Sequence, residues 1–278
     1  MQIPFTKMHG LGNDFVVVDT RQLSQVFNPD TARVRSWSDR KTGVGFDQLL
    51  CVDAGDDSHI ASYRIFNADG HAVAQCGNGA RCIAAYLYAE DALDPASSIV
   101  LRSPAGDVTA QRISDGAFSV SMGVPDFEPA NIPLARATKA DWYSFDVAGH
   151  QFQAASVSIG NPHCVLFVDD VETANVDAIG AALQHADDYP EAVNVGFCQI
   201  TGTNSLRLRV FERGVGETQA CGTGACAAAV CAIANGRAHS PITVRLQGGE
   251  LVINWRAHQH AVQMRGPTAV SFRGYLNL

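Results

Sequence analysis

Two cysteines stand where glycine-rich loops run into helix-forming sequence: Cys76 in "AQCGNGARCIAAYL" and Cys221 in "QACGTGACAAAV". The first turn of a helix leaves backbone N–H groups unpaired and carries roughly half a positive charge, so such loops receive anions. Glycines bring that backbone close to a ligand. A thiol in the same field is drawn toward thiolate, its basic and nucleophilic form. Either cysteine alone reads as a small buried hydrophobe. Two at matched places read as an acid–base pair: a thiolate removes a proton from one face of a carbon, and a thiol returns one to the other face. With both helix ends aimed at the adjacent carboxylate, the carbanion is stabilised where it develops. The alternative, pyridoxal on a lysine, is weakened because Lys7, Lys41 and Lys139 all lie outside the two blocks.

The matching extends beyond the thiols. Phe66 and Phe211 precede their cysteines by the same interval, within "YRIFNADGHAVAQCGNGARCIAAYL" and "LRVFERGVGETQACGTGACAAAV". "GVGFDQLLCVD" around Gln48 pairs with "NVGFCQIT" around Gln199, and "LGNDFVVVD" at Asn13 with "IGNPHCVLFVDD" at Asn161. The shared order marks two homologous halves. A proline-rich, aperiodic stretch, "MGVPDFEPANIPLARATKADW", separates them. We expect an N-terminal half over 1–124, rejoined by a C-terminal segment 266–278, and a C-terminal half over 125–265. Short β-rich runs dominate each half, such as "DFVVVD" and "LRLRVF". One apolar helix per half starts at the thiol loop, ending before Asp94-Pro95 in the first and at Gly236 in the second. A helix that is apolar all round belongs inside the protein. The expected fold is therefore α+β: two pseudo-symmetric halves, each a curved mixed or antiparallel sheet wrapped around a central helix, with the active site in the cleft between them.

Composition narrows the function classes. A net charge of -8 and no Lys/Arg stripe argue against a nucleic-acid partner. Hydrophobic residues at 46% with charged residues at 17% describe a chain with a substantial core. No apolar run reaches bilayer length, and the start lacks a signal-peptide pattern, so a cytoplasmic protein without membrane contact is expected. Eight cysteines in a chain this long do not make a disulfide scaffold. Nor do they suggest zinc: the spacings are not C-x-x-C, and five residues turn a helical side chain by about 140°. Cys51, Cys82, Cys164, Cys198, Cys226 and Cys231 are assigned to core. The histidines other than His163 show no metal-ligand pattern, so neither metal nor cofactor is expected.

"HGLGNDFVVVD", "TGVGFDQLL", "FNADG", "QCGNGARC", "GNPHCV", "NVGF" and "ERGVGETQACGTGACA", in this order, resemble the diaminopimelate epimerase family over nearly the whole chain. The two loops alone also suit a proline or hydroxyproline racemase of the same architecture, or a non-enzymatic thiol or metal-binding protein. The Glu212-Arg213 pair and the "GNPH" block favour the epimerases, because a proline-like substrate has no distal group for an Arg213–asparagine cluster. The resemblance implies a cofactor-independent isomerase, a homodimer, that interconverts LL- and meso-diaminopimelate in lysine and peptidoglycan-precursor synthesis. It implies Cys221 as proton acceptor and Cys76 as proton donor in the LL-to-meso direction, with His163 and Glu212 modulating the thiols. The backbone of Gly77, Asn78, Gly222 and Thr223 would hold the reacting carboxylate. Asn67, Asn161, Asn194 and Arg213 would bind the distal carboxylate and amine, helped by Asn13, Gln48 and Glu212. Taken singly, Asn67 and Asn161 are ordinary turn residues and His163 a structural histidine. Arg213 beside Glu212 is better suited to bidentate carboxylate capture. Phe272 departs from the family, standing where a tyrosine that supports dimerisation is common.

Two thiols serving opposite faces of one carbon must come within little more than that carbon of each other. We expect air to inactivate the protein by joining Cys76 to Cys221, dithiothreitol to restore it, and substrate to protect it. Non-reducing peptide mapping of the inactivated protein checks this; both cysteines still reduced, or each joined elsewhere, would be the contrary result.

Overall fold

The computed structural model describes residues 2–147, 149–257 and 259–277, with the backbone alone at His150. His258, one of the histidines without an expected role, lies outside the described residues. The chain divides into two compact units, Met1–Ser121 with Gly266–Leu278, and Met122–Arg265. The first begins with β1 (Gln2–Gly10), β2 (Asn13–Asp19), α1 (Thr31–Ser38), β3 (Gln48–Asp56), β4 (His59–Asn67) and the short β5 (Ala72–Val73). It continues with α2 (Gly77–Glu90), β6 (Ser98–Ser103), β7 (Gly106–Ser114) and β8 (Ala117–Ser121). The second unit follows with β9 (Tyr143–Val147), β10 (His150–Ser158), β11 (Pro162–Phe167), α3 (Val176–Gln184), β12 (Asn194–Gly202) and β13 (Ser205–Glu212). Next come β14 (Gly216–Thr218), α4 (Gly222–Ala234), β15 (Ile242–Leu246), β16 (Gly249–Asn254) and β17 (Gln263–Pro267). Finally β18 (Ala269–Asn277) pairs antiparallel with β1 of the first unit.

The two units repeat one plan. Neighbouring strands run β18-β1-β2-β3-β4-β6-β7-β8 in the first. In the second they run β9-β10-β11-β12-β13-β15-β16-β17. The parallel pairs fall at the same places: β2–β3 and β4–β6, then β11–β12 and β13–β15. Parallel neighbours cannot be joined by a tight turn and need a crossover. Each crossover here carries a helix, α1 to α4 in chain order.

The two sets of helices take opposite faces. Helix α2 packs on β1, β2, β3, β7 and β8, and α4 on β10 to β13, β15 and β16. From Gly222 to Ala232 every residue is buried, and from Gly77 to Tyr88 every residue except Ala85. These are the central helices expected from the sequence. Helices α1 and α3 were not expected. Val34 and Trp37 of α1 join Val16, Val18, Leu49 and Cys51 in one core, and Val176 and Leu183 of α3 join Cys164, Leu166, Val195 and Phe197 in another. Strand side chains alternate between faces, so this is the side away from α2 and α4. With a helix on either side, strands such as β2 and β11 are buried on both faces, and their sequences are continuous rather than alternating. Gly180 permits α3 to lie this close: a Cβ there would sit 2.6 Å from Cβ of Phe211. Among the described residues no helix is long and apolar enough to cross a membrane.

Burial pushes the thiols of Cys51, Cys82, Cys164 and Cys198 up to about 12, from an ordinary 9.0. The folded chain therefore holds these protons more tightly than the unfolded one. Their contribution to stability is complete below pH 9 and is lost as pH rises toward 12, by about 1.4 kcal/mol per pH unit for each thiol. Calorimetry under reducing conditions should show the melting temperature falling from pH 9 to 11, with a shallower fall in Cys198→Ala.

Candidate active site

The expected site residues of the first unit gather at one end of its sheet. Asn13 opens β2, Gln48 opens β3 and Asn67 closes β4, where Gln48 and Asn67 face each other in register. Gln48 Nε2 donates to Asn67 Oδ1 at 2.9 Å. Helix α2 begins beside them with Cys76 as its N-cap residue, whose Sγ accepts from Gly79 N–H at 3.3 Å. Sulfur thus takes the place of the oxygen that usually caps a helix. Asn13 Oδ1 lies 3.9 Å from Cys76 Sγ and accepts from Asn78 Nδ2 at 3.3 Å.

The second unit builds the same corner from different side chains. Asn161 precedes β11, His163 lies within it opposite Asn194 of β12, and Glu212 closes β13. Cys221 is the N-cap of α4, its Sγ accepting from Gly224 N–H at 3.4 Å. Glycine leaves room at that third helical position, because a Cβ on Gly224 would crowd Cys221 Sγ at 3.2 Å and Val210 Cγ2 at 3.0 Å. Thr223 Oγ1 is 3.6 Å from the thiol and accepts from Asn161 Nδ2 at 3.4 Å. Asn161 Oδ1 pairs with His163 Nε2 at 3.0 Å, which fixes the ring proton on Nε2. Asn194 ties the corner together, donating to the Pro162 carbonyl at 2.9 Å and accepting from Arg213 N–H at 3.0 Å. The Arg213 guanidinium donates to the Glu191 carbonyl at 3.1 Å.

The electrostatics differ from the sequence expectation at Cys221. A helix N-terminus favours thiolate, yet Cys221 is held well above the ordinary thiol range. Burial is the larger cause and the Glu212 carboxylate the next, and together they outweigh the downward pull of Thr223 and Gly224 N–H. His163 is pushed down to about 3 by burial and by the charge of Arg213, so its ring is neutral. It meets the thiol corner through its bond to Asn161, as a neutral hydrogen-bonding group. Sequence reasoning also missed side chains that hold this corner. Thr218 donates to Glu212 Oε1. Gln184 donates to the carbonyls of Val193 and Glu212, each at 3.2 Å. In the first unit Arg81, fully buried, donates to Asn78 Oδ1 at 2.8 Å. An arginine one turn into an apolar helix was the available signal for the last. Among the described residues no group of three or more His, Cys, Asp or Glu side chains could hold a metal ion.

The fold is found in solved structures of distant sequence. A probable proline racemase from Agrobacterium radiobacter K84 superposes with a TM-score of 0.72 at 16% identity, over 99% of this chain and 93% of that one. A hydroxyproline epimerase from Agrobacterium vitis superposes with a TM-score of 0.70 at 16% identity, over 99% and 92%. The chain thus has the doubled α+β fold that these racemase and epimerase structures share. Sequence comparison is narrower. The family model for diaminopimelate epimerase matches residues 5–128 and 155–270. The diaminopimelate epimerase of Pseudomonas entomophila (strain L48) is 47% identical over 279 residues, covering 100% of both chains. This chain belongs to the diaminopimelate epimerase family.

Because Glu212 raises the Cys221 thiol, Glu212→Gln should move the pH midpoint of Cys221 alkylation downward. Peptide-resolved labelling with iodoacetamide across pH 6–11 measures it; an unmoved midpoint would remove Glu212 from the thiol's electrostatics.

Proposed function

We infer that the protein is a cofactor-independent isomerase that interconverts LL- and meso-diaminopimelate in lysine and peptidoglycan-precursor synthesis. The observation that carries this reading is the pair of N-cap thiols at equivalent positions of a repeated fold, in a chain of the diaminopimelate epimerase family. In the LL-to-meso direction the α-proton passes to the Cys221 thiolate, and the Cys76 thiol delivers its proton to the opposite face of the same carbon. A thiol held above its ordinary range is a minor thiolate but a stronger base once ionised, which suits a weakly acidic α-proton. Negative charge developing at the α-carbon spreads into its carboxylate. The first two N–H groups of each helix, at Gly77 and Asn78 and at Gly222 and Thr223, have no partner within the helix and are the donors for that carboxylate.

Selection of diaminopimelate falls to the strand-end residues. Asn67, Asn161, Asn194 and Arg213 receive the distal carboxylate and amine, with Asn13, Gln48 and Glu212 beside them. Arg213 supplies the positive charge and the asparagines supply both donors and acceptors. Biosynthesis of this kind places the protein in the cytoplasm. Strand β18 leaves Val270, Phe272 and Tyr275 about half exposed or more, apolar surface suited to cover by a second copy in a homodimer.

Incubation of the purified protein with LL-diaminopimelate in deuterated water should place label at one α-carbon and yield the meso isomer. Cys76→Ala and Cys221→Ala should each lose epimerisation by several orders of magnitude, since each removes the only proton carrier on one face. Near-normal turnover by either variant would sink the two-thiol mechanism.

A further inference from the structure

The segment that supplies Gln48 also supplies Asp47, a residue with no part in the chemistry above. Asp47 Oδ2 accepts from Asn13 Nδ2 at 2.8 Å and from Asp14 N–H at 3.0 Å, while its Oδ1 pairs with Arg40 at 2.7 Å. Asp14 returns the grip: its Oδ1 accepts from Asp47 N–H at 3.0 Å, and its Oδ2 pairs with the buried Lys7 at 2.6 Å. Asp47 is thereby fixed from several directions. A carboxylate only accepts hydrogen bonds, so it can hold only the NH2 end of the Asn13 amide.

The carbonyl end of Asn13 must then point the other way, into the thiol loop. It accepts from Asn78 Nδ2, whose own amide is oriented by Arg81, and it faces Cys76 Sγ at 3.9 Å. A carbonyl oxygen beside sulfur stabilises S–H, which can donate to it, and opposes S⁻, which meets the negative end of its dipole. We infer that Asp47 is a positioning residue that, by fixing the Asn13 amide, holds Cys76 in its protonated, proton-donating form; this rests on the two-thiol reading above.

The second unit supports the inference by contrast. Asn161 stands where Asn13 stands in the repeat, but its oxygen is taken by His163 and its NH2 is turned to Thr223. The Thr223 hydroxyl accepts that bond and has its proton available for Cys221 Sγ, 3.6 Å away. Equivalent asparagines therefore bring an acceptor to Cys76 and a donor to Cys221. In the LL-to-meso step the Cα–H bond breaks and its proton goes to Cys221 Sγ. The Cys76 S–H bond breaks and its proton joins the opposite face of that carbon. Negative charge moves from the Cys221 sulfur to the Cys76 sulfur, where the Asn13 carbonyl favours its reprotonation.

The test is the pH dependence of Cys76 alkylation by iodoacetamide, read by peptide mapping in a Cys221→Ala background with circular dichroism as a check on folding. Asp47→Ala should lower the Cys76 midpoint by about one pH unit, the scale of a single hydrogen bond. Asn13→Leu, which removes the same acceptor and leaves the ion pairs in place, should lower it similarly and carries the test if Asp47→Ala does not fold. Midpoints that stay or rise in the folded variants overturn the inference. Failure of the wild-type protein to introduce deuterium into diaminopimelate would instead overturn the epimerase reading, whatever the midpoints do.

Discussion

The contact on which the rest of the structure depends is the bond that a cysteine sulfur accepts from the third backbone N–H of a buried helix. Sulfur is a poorer cap than the oxygen of Ser, Thr, Asp or Asn, and a good cap contributes about 1 kcal/mol. The arrangement is kept twice, at Cys76 and Cys221. It constrains what surrounds it. The third helical residue is glycine in both, and at Gly224 a Cβ would crowd the sulfur and Val210. The helix is enclosed by its sheet on nearly every side, so it is mostly apolar and its buried polar residues, such as Arg81, are hydrogen-bonded. That sheet, in turn, is buried on its other face by α1 or α3, so its strands lose the alternating pattern of a solvent-facing sheet.

On this common frame the two halves have diverged in the groups that touch the thiols. Cys76 is half-buried with an amide oxygen beside it, whereas Cys221 is buried with a hydroxyl and a carboxylate near it. In the proposed epimerisation, where one thiol takes a proton and the other gives one, this difference favours one starting state. A strictly symmetric pair would have no preferred starting state. The repeat therefore supplies the geometry, and the substitutions between repeats supply the polarity.

Much of this was legible in the sequence because it is local. The thiol loops, the helices they begin and the asparagines at strand ends recur in order, and helix start signals lie within a few residues of one another. What was not legible depends on contacts far along the chain. Helix α1 buries only Val34 and Trp37 in an otherwise polar run, and α3, although its buried positions fall at helical spacing, is short, has no side-chain cap bond and carries Gly180, so neither has clear start signals. The raised Cys221 thiol depends on burial by strands that the loop sequence does not mention. The grip of Asp47 on Asn13 joins residues far apart in the sequence, and "GVGFDQLL" directed attention to the glutamine beside Asp47. Neutral His163 likewise follows from complete enclosure and from Arg213, neither of which a motif records.

The pairing of β1 with β18 has a consequence for how the chain is made. Strand β1 lies in the earliest part of the sequence, yet its partner comes from Gly266–Leu278, which leaves the ribosome after the whole of Met122–Arg265. The second unit is contiguous and has all its segments in hand first. The first unit, although translated earlier, must keep one edge of β1 unpaired throughout that interval. Exposed strand edges recruit other strands. Nascent chains of this protein therefore pass through a period in which their earliest strand is open to mispairing, and that period lengthens whenever translation of the second unit slows.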